Sequence, residues 1–316
     1  MNMNYKPADK PTMYFIGVTT GQSSIMNVFP QWAEYLGLGD VELEGIDFEL
    51  HDEPERYREA VDFIKSDPLS YGALVTTHKI DLLQACRDMF DHLDKRARII
   101  GEISGISKVD GKLLGHAKDP ITAGLSLKAI AGDEYWGKTG ADLCILGAGG
   151  SSLALSTHII LRDDPAKQPK RIFVTNRSPK RIEEMKKVHG KLKHSLDIEY
   201  ILAPDPEDND RVVGALNPYS VVANATGLGK DVPGSPTTDD VLFPENGVAW
   251  DFNYRGDLLF LDQAERQKEE RSLRIEDGWR YFIYGWTRVI AEVFHVDIPV
   301  KGSEFEEICK IAENYR

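Results

Sequence analysis

The chain has 316 residues, 41% of them hydrophobic, enough for two packed cores, and its glycines and prolines are spread over many turns. A formal net charge of -13 excludes a surface built mainly for nucleic acid, where lysine and arginine should dominate a face. Cys86, Cys144 and Cys309 lie far apart with no CxxC spacing, so no metal site and no disulfide framework is expected, and the thiols read as those of a reduced, cytoplasmic protein.

The opening MNMNYKPADKP lacks the apolar core of a signal peptide and is expected to be a loose arm. Met13–Thr19 predicts a first strand, GQSS a polar turn, and about Met26–Tyr35 an amphipathic helix. Ile46–Leu50 alternates apolar and acidic residues, predicting a second strand, and Glu53–Ile64 predicts a second helix with acidic residues in its first turn. Tyr71–Thr76 predicts a third strand that runs into Thr77, His78 and Lys79 before a helix from about Ile80 to Phe90. Polar residues at the end of a strand in an open α/β sheet stand where ligands bind.

Residues 103–116 carry Asp110-Gly111 between short apolar alternations, the signal of a β-hairpin. Asp119 and Pro120 then open a helix to about Ile130. The expected fold class is α/β, with an N-terminal open α/β domain (residues 1–120), a Rossmann-type nucleotide domain (121–280) and C-terminal helices (281–316) returning to the first domain. The most apolar window, residues 143–161, is interrupted by glycines, serines and His158, so no membrane span is expected.

Within that window, DLCILGAGGSSLA changes period at its glycines: Leu143–Leu146 is an apolar run, and apolar residues recur at helical spacing from Ser152. Such a βα turn suits a pyrophosphate. Gly147 and Gly149 permit a sharp turn and close backbone approach around Ala148, and Gly150, Ser151 and Ser152 present N–H groups at the positive end of a helix. The third glycine of the dinucleotide fingerprint is replaced by Ser152. The next strand, Arg171–Thr175, ends in Asn176-Arg177-Ser178. A site for NAD usually carries an acid at this tip for the ribose hydroxyls; here Arg177 stands there, with Lys180 and Arg181 beyond. Basic residues at that place, opening a helix whose dipole disfavours them, point to a 2′-phosphate and hence NADP. Residues 220–224 and 248–252 predict two further strands, and residues 261–268, 281–294 and 305–312 are helical in pattern.

In this order the motifs resemble the shikimate dehydrogenase family from about residue 13 to 295. The matches are GAGG at 147–150, NRS at 176–178, NAT at 224–226, Asp251 and Tyr254 in WDFNY, DGKLLGHAKD at 110–119, and His78-Lys79. The resemblance implies NADP held by Gly147, Ala148, Gly149, Gly150, Ser151, Asn176, Arg177, Ser178, Arg181, Asn224 and Thr226. It places the proton-transfer pair on Lys79 and Asp119, and substrate contacts on Ser23, Thr76, Ser104 and Tyr254. Oxidising an alcohol by hydride transfer leaves a hydroxyl proton to remove, and a proton-exchanging side chain within reach accelerates this by about 10²–10⁴-fold.

The substrate shell departs from the family pattern. The SKS motif, whose serines hold a carboxylate, falls on Ser23-Ser24-Ile25; two family asparagines become Ser104 and Ala117; and the glutamine of the C-terminal helix falls near Gly285 or Trp286. Each lost hydrogen bond to a charged group costs about 1.5–3 kcal/mol. The expectation is an NADP-dependent oxidoreductase acting on a small polyhydroxylated alcohol or ketone other than shikimate, with no nucleic-acid or membrane partner, as a monomer or homodimer. Two alternatives stand beside it: a shikimate or quinate dehydrogenase that holds the carboxylate by other groups, and an NADP-binding sensor without turnover. Tyr284, Trp286 and Arg288 are read either as cleft residues or as core.

Overall fold

The computed structural model describes residues 5–230 and 232–316, so the first four residues of the expected arm lie outside it. The chain divides into two compact units, Met1–Lys118 with Ile283–Arg316, and Asp119–Phe282.

The first unit runs through β1 (Thr12–Gly17), α1 (Ile25–Tyr35), β2 (Glu42–Asp47), α2 (Pro54–Ser66), β3 (Ser70–Val75), α3 (Lys79–Cys86), β4 (His92–Leu93), α4 (Lys95–Ile100), β5 (Gly105–Val109) and β6 (Lys112–His116). Its sheet has the order β2-β1-β3-β5-β6-β4. β1 is parallel to β2 and β3, and all its residues are buried, as a strand covered on both faces requires. β5 and β6 form the expected antiparallel hairpin, with Asp110 at φ 50 and Gly111 at φ 74, the two positive angles of a type I′ turn.

The second strand lies earlier than its alternation suggests. Pairing with β1 fixes it at Glu42–Asp47, and the chain then turns where the Asp52 carboxylate accepts the N–H groups of Glu49 and Glu53. Phe48 is buried beyond the last strand residue. The alternation of residues 46–50 therefore belongs half to a strand and half to a loop.

The second unit runs through α5 (Asp119–Ala131), α6 (Tyr135–Thr139), β7 (Leu143–Leu146), α7 (Gly150–Ile160), β8 (Ile172–Asn176), α8 (Pro179–His189), β9 (Ile198–Leu202), α9 (Pro206–Gly214), β10 (Val221–Asn224), β11 (Val248–Asp251), α10 (Leu259–Glu265), α11 (Lys268–Arg271) and β12 (Arg274–Glu276). All its paired strands are parallel, in the order β12-β11-β10-β7-β8-β9. Strand order reverses between β7 and β10, and that switch point is where a doubly wound sheet opens a crevice. Leu143 and Ile145 of β7 join the core under α5 and α7, while Cys144 and Leu146 join the core on the other face with Val213 and Phe260.

α12 (Trp279–Phe294) carries the chain back to the first unit, and α13 (Ser303–Glu313) follows. Tyr284 stacks on Phe305 at 4.7 Å and donates its hydroxyl to Val300 O, Arg288 donates to Ile298 O, and Trp286 meets Phe15 edge-on at 4.9 Å. These three side chains pack the first unit. Trp32 of α1 donates its indole N–H to Ile308 O, which ties α13 to α1.

α5 and α7 pack closely because Gly124 has no side chain: a Cβ there would overlap the His158 imidazole. Gly124→Ala should therefore lower stability by about 1–3 kcal/mol in urea unfolding. Gly214→Ala, in open space at the end of α9, should be neutral or stabilise by up to about 1 kcal/mol.

Candidate functional site

In the second unit the βα turn after β7 is shaped by what it cannot contain. Gly147 has φ 103, and a Cβ would come within 2.9 Å of Ala225 O. Its N–H donates to Thr175 O, binding the turn to β8. Ala148 N–H donates to Asn176 Oδ1, and Asn176 Nδ2 donates to Ser178 O, so one side chain bridges the glycine turn and the tip of β8. Gly149 caps α7 with no side-chain hydrogen bond, and nothing stands within 4 Å of where its Cβ would be. The first-turn N–H groups of α7 have no side-chain acceptor at that cap, and the helix dipole favours an anion in front of them. Ser152, at the third fingerprint position, is fully buried, as close helix packing requires.

Arg177 is exposed at the tip of β8, and Ser178 stands at the N-cap of α8 without a side-chain cap hydrogen bond, before a first turn that carries no acid. Arg181 is paired with Glu184 at 3.1 Å, an exposed contact of the kind worth about 0–1 kcal/mol and easily exchanged for another anion. Tyr254 is half-buried, its ring 5.0 Å from those of Trp279 and Phe282.

In the first unit Lys79 is half-buried at the start of α3. Its N–H donates to Thr76 O at 3.3 Å, and its carbonyl accepts from Ile103 N–H at 3.2 Å. Thr76 donates both its N–H and its hydroxyl to Ile16 O, which fixes the β3–α3 loop to β1. Ser23 and Ser24 are half-buried before α1, whereas Ile25 is fully buried. The alkyl group at the place of the second clamp hydroxyl thus belongs to the core. Ser104 is 3% exposed, and its hydroxyl accepts the Lys118 N–H at 2.8 Å.

Lys118 is ion-paired with Glu292 of α12, and Ser107 and His116 share a hydrogen bond at 2.8 Å beside them. Burial pushes the His116 imidazole down, and the Lys118 charge adds to this. Burial alone would raise the Glu292 carboxyl, but its hydrogen bond to Lys118 holds it below the usual range. Asp119 is buried as the first residue of α5, with Pro120 behind it. Lys79 is carried by the first unit and Asp119 by the second. A cavity of about 240 Å³ lies elsewhere in the first unit, between Tyr5–Asp9 and β2. Among the described residues no helix is long and apolar enough to cross a membrane, and no cluster of three or more His, Cys, Asp or Glu is set to hold a metal.

A Rossmann-type unit following an open α/β unit defines the class of protein. No protein-family model matches the chain. It is 29% identical over 179 residues to a shikimate dehydrogenase (NADP(+)) of Lactococcus lactis subsp. cremoris, covering 56% of this chain and 59% of that protein. It is 26% identical over 253 residues to the enzyme of that name from Caldicellulosiruptor bescii, covering 77% and 76%. The chain thus matches less than two thirds of the length of the first of these. Among solved structures, shikimate dehydrogenase from Aquifex aeolicus superposes with a TM-score of 0.73 at 18% identity, covering 98% of this chain and 99% of that one. The 5-ketofructose reductase of Gluconobacter sp. strain CHM43 superposes with a TM-score of 0.69 at 18% identity, covering 96% and 98%. In sequence and in fold the chain is similar to these shikimate dehydrogenases.

Sequence reasoning singled out Asn224, Thr226 and Asp251 but not the bonds among them. Asn224 and Asp251 are register partners at the ends of β10 and β11, and both are fully buried. Asn224 Nδ2 donates to Asp251 Oδ2 at 2.8 Å, and Asn224 Oδ1 accepts from both the N–H and the hydroxyl of Thr226. Asp251 Oδ1 accepts Asn253 N–H. Burial pushes the Asp251 carboxyl up to about 6, even though its hydrogen bonds oppose the rise. A carboxyl raised on folding contributes stability that is full below its unfolded pKa and is lost as pH rises through its folded one. Between pH 4 and 7 the wild type should lose about 1–3 kcal/mol relative to Asp251→Asn, read from urea unfolding at each pH.

Proposed function

We propose that the chain is an NADP-dependent oxidoreductase that moves a hydride reversibly between NADP(H) and the hydroxyl or keto carbon of a small polyhydroxylated substrate other than shikimate. The observation that carries this reading is the uncapped N-terminus of α7, bridged by Asn176 to a strand tip that bears Arg177 and no acid. The residues fit the cofactor: a diphosphate accepts hydrogen bonds from the α7 amides, a 2′-phosphate has Arg177 and Arg181, and Gly147 and Gly149 leave its approach clear. NADP, when bound, supplies the hydride acceptor. In this reading the second unit is the cofactor domain and the first holds the substrate.

Lys79 takes the hydroxyl proton and Asp119 orients lysine and hydroxyl. Ser23, Thr76 and Tyr254 contact the substrate, and Ser104 acts through the Lys118 backbone that it holds. A substrate without shikimate's carboxylate is supported by the burial of Ile25 and by the engaged Ser104 hydroxyl. The structural likeness to a 5-ketofructose reductase is consistent with a neutral sugar-like ketone. A cytoplasmic location is supported by Cys86 and Cys144, which are buried as free thiols.

The test is a panel of shikimate, quinate, cyclic polyols and keto sugars with NADP(H) and NAD(H). Turnover should favour NADP(H). Arg177→Ala should cut kcat/KM for NADP(H) about 10–100-fold with little change for NAD(H), as loss of a charge-assisted phosphate contact predicts. Lys79→Ala should lower kcat by about 10²–10⁴-fold. Shikimate as the best substrate would refute the substrate assignment, and tight NADPH binding without any turnover would point to a sensor.

A further inference from the structure

Three loops leave the same edge of the first unit's sheet, after β1, β2 and β3, and one buried side chain joins them. His78, 1% exposed, immediately precedes Lys79. Its Nε2 lies 3.1 Å from Gly17 O, the last residue of β1, and its Nδ1 lies 3.0 Å from the hydroxyl of Tyr57 on α2. A carbonyl oxygen only accepts, so Nε2 carries the proton and Nδ1 is left to accept from Tyr57. The tautomer is thereby fixed. Phe48, from the loop after β2, meets both rings edge-on, at 4.7 Å from Tyr57 and 5.7 Å from His78. Gly17 O also accepts Phe48 N–H at 2.9 Å. Burial lowers the pKa of the imidazole.

We infer that His78 and Tyr57 are positioning residues for Lys79: together they hold the peptide from which the lysine departs, and they tie it to the end of β1, where the loop that carries Ser23 begins. The inference rests on Lys79 acting in proton transfer. The imidazole does not itself meet the substrate, since both ring nitrogens are engaged inside the unit. Without the Gly17 and Tyr57 bonds, the start of α3 loses two of the contacts that fix it, beside those to Thr76 and Ile103, and the ammonium group samples a wider arc. Displacement of a reacting group by about 1 Å commonly costs about 10²-fold in rate.

The test uses the full chain and the fastest substrate of the panel. His78→Leu and Tyr57→Phe should lower kcat about 10–100-fold and about 3–10-fold respectively, while NADPH affinity by fluorescence titration changes less than about twofold. His78→Gln, whose amide can donate to Gly17 O and accept from Tyr57, should recover most of the loss. In a Lys79→Ala background, His78→Leu should have no further effect on kcat, whereas a merely structural role would lower it again. A readout independent of turnover is the ¹³C resonance of reductively methylated Lys79, identified by its absence in Lys79→Arg; His78→Leu should move it toward the signals of exposed lysines. Full activity of Lys79→Ala would overturn the assignment of the lysine itself. Full activity and an unmoved lysine signal in folded His78→Leu would overturn only the positioning role.

Discussion

Gly147 stands where β7, β8 and β10 converge. Its amide is given to β8, its α-carbon faces the Ala225 carbonyl after β10, and its positive φ aims the chain away from the sheet. Almost everything the second unit offers a ligand depends on that contact. A side chain there would push β10 and its Asn224 network away from β7 or turn the α7 amides elsewhere. The shape of the turn at the switch point is therefore a consequence of a missing Cβ as much as of strand order.

The features that the sequence made legible are local ones. β7 lies at its expected residues because four consecutive apolar residues between a polar start and a glycine admit little else. The Asp110-Gly111 turn is legible because its backbone angles exclude most residue pairs. The alternation of residues 46–50 misplaces β2, whose limits come from pairing with β1, about thirty residues away. α9 carries little periodic signal: its first turn is proline and acids held by an Asp205–Asp208 capping box, with few apolar residues to set a period. β12 is too short to show a period at all.

The candidate site divides in the same way. The anion-facing turn and the basic strand tip can be read from neighbours in the chain. The engagement of Ser104 by Lys118, and of His78 by Gly17 and Tyr57, joins residues far apart in sequence and needed the fold. These contacts share a physical theme. In the first unit several polar side chains that a sequence reader assigns to a ligand are spent on the backbone of the next loop, as buried hydrogen-bonding groups must be when a partner is near.

The cysteines give each unit its own internal clock. Cys86 lies fully buried in the first unit and Cys144 in the second, and burial pushes each thiol up to about 12. A buried, protonated thiol reacts with an alkylating reagent only when its surroundings open. Cys309, half-buried on α13, is the more accessible of the three. Timed alkylation followed by peptide mass mapping therefore reads the opening of the two units separately in a single sample, with no label added to either core.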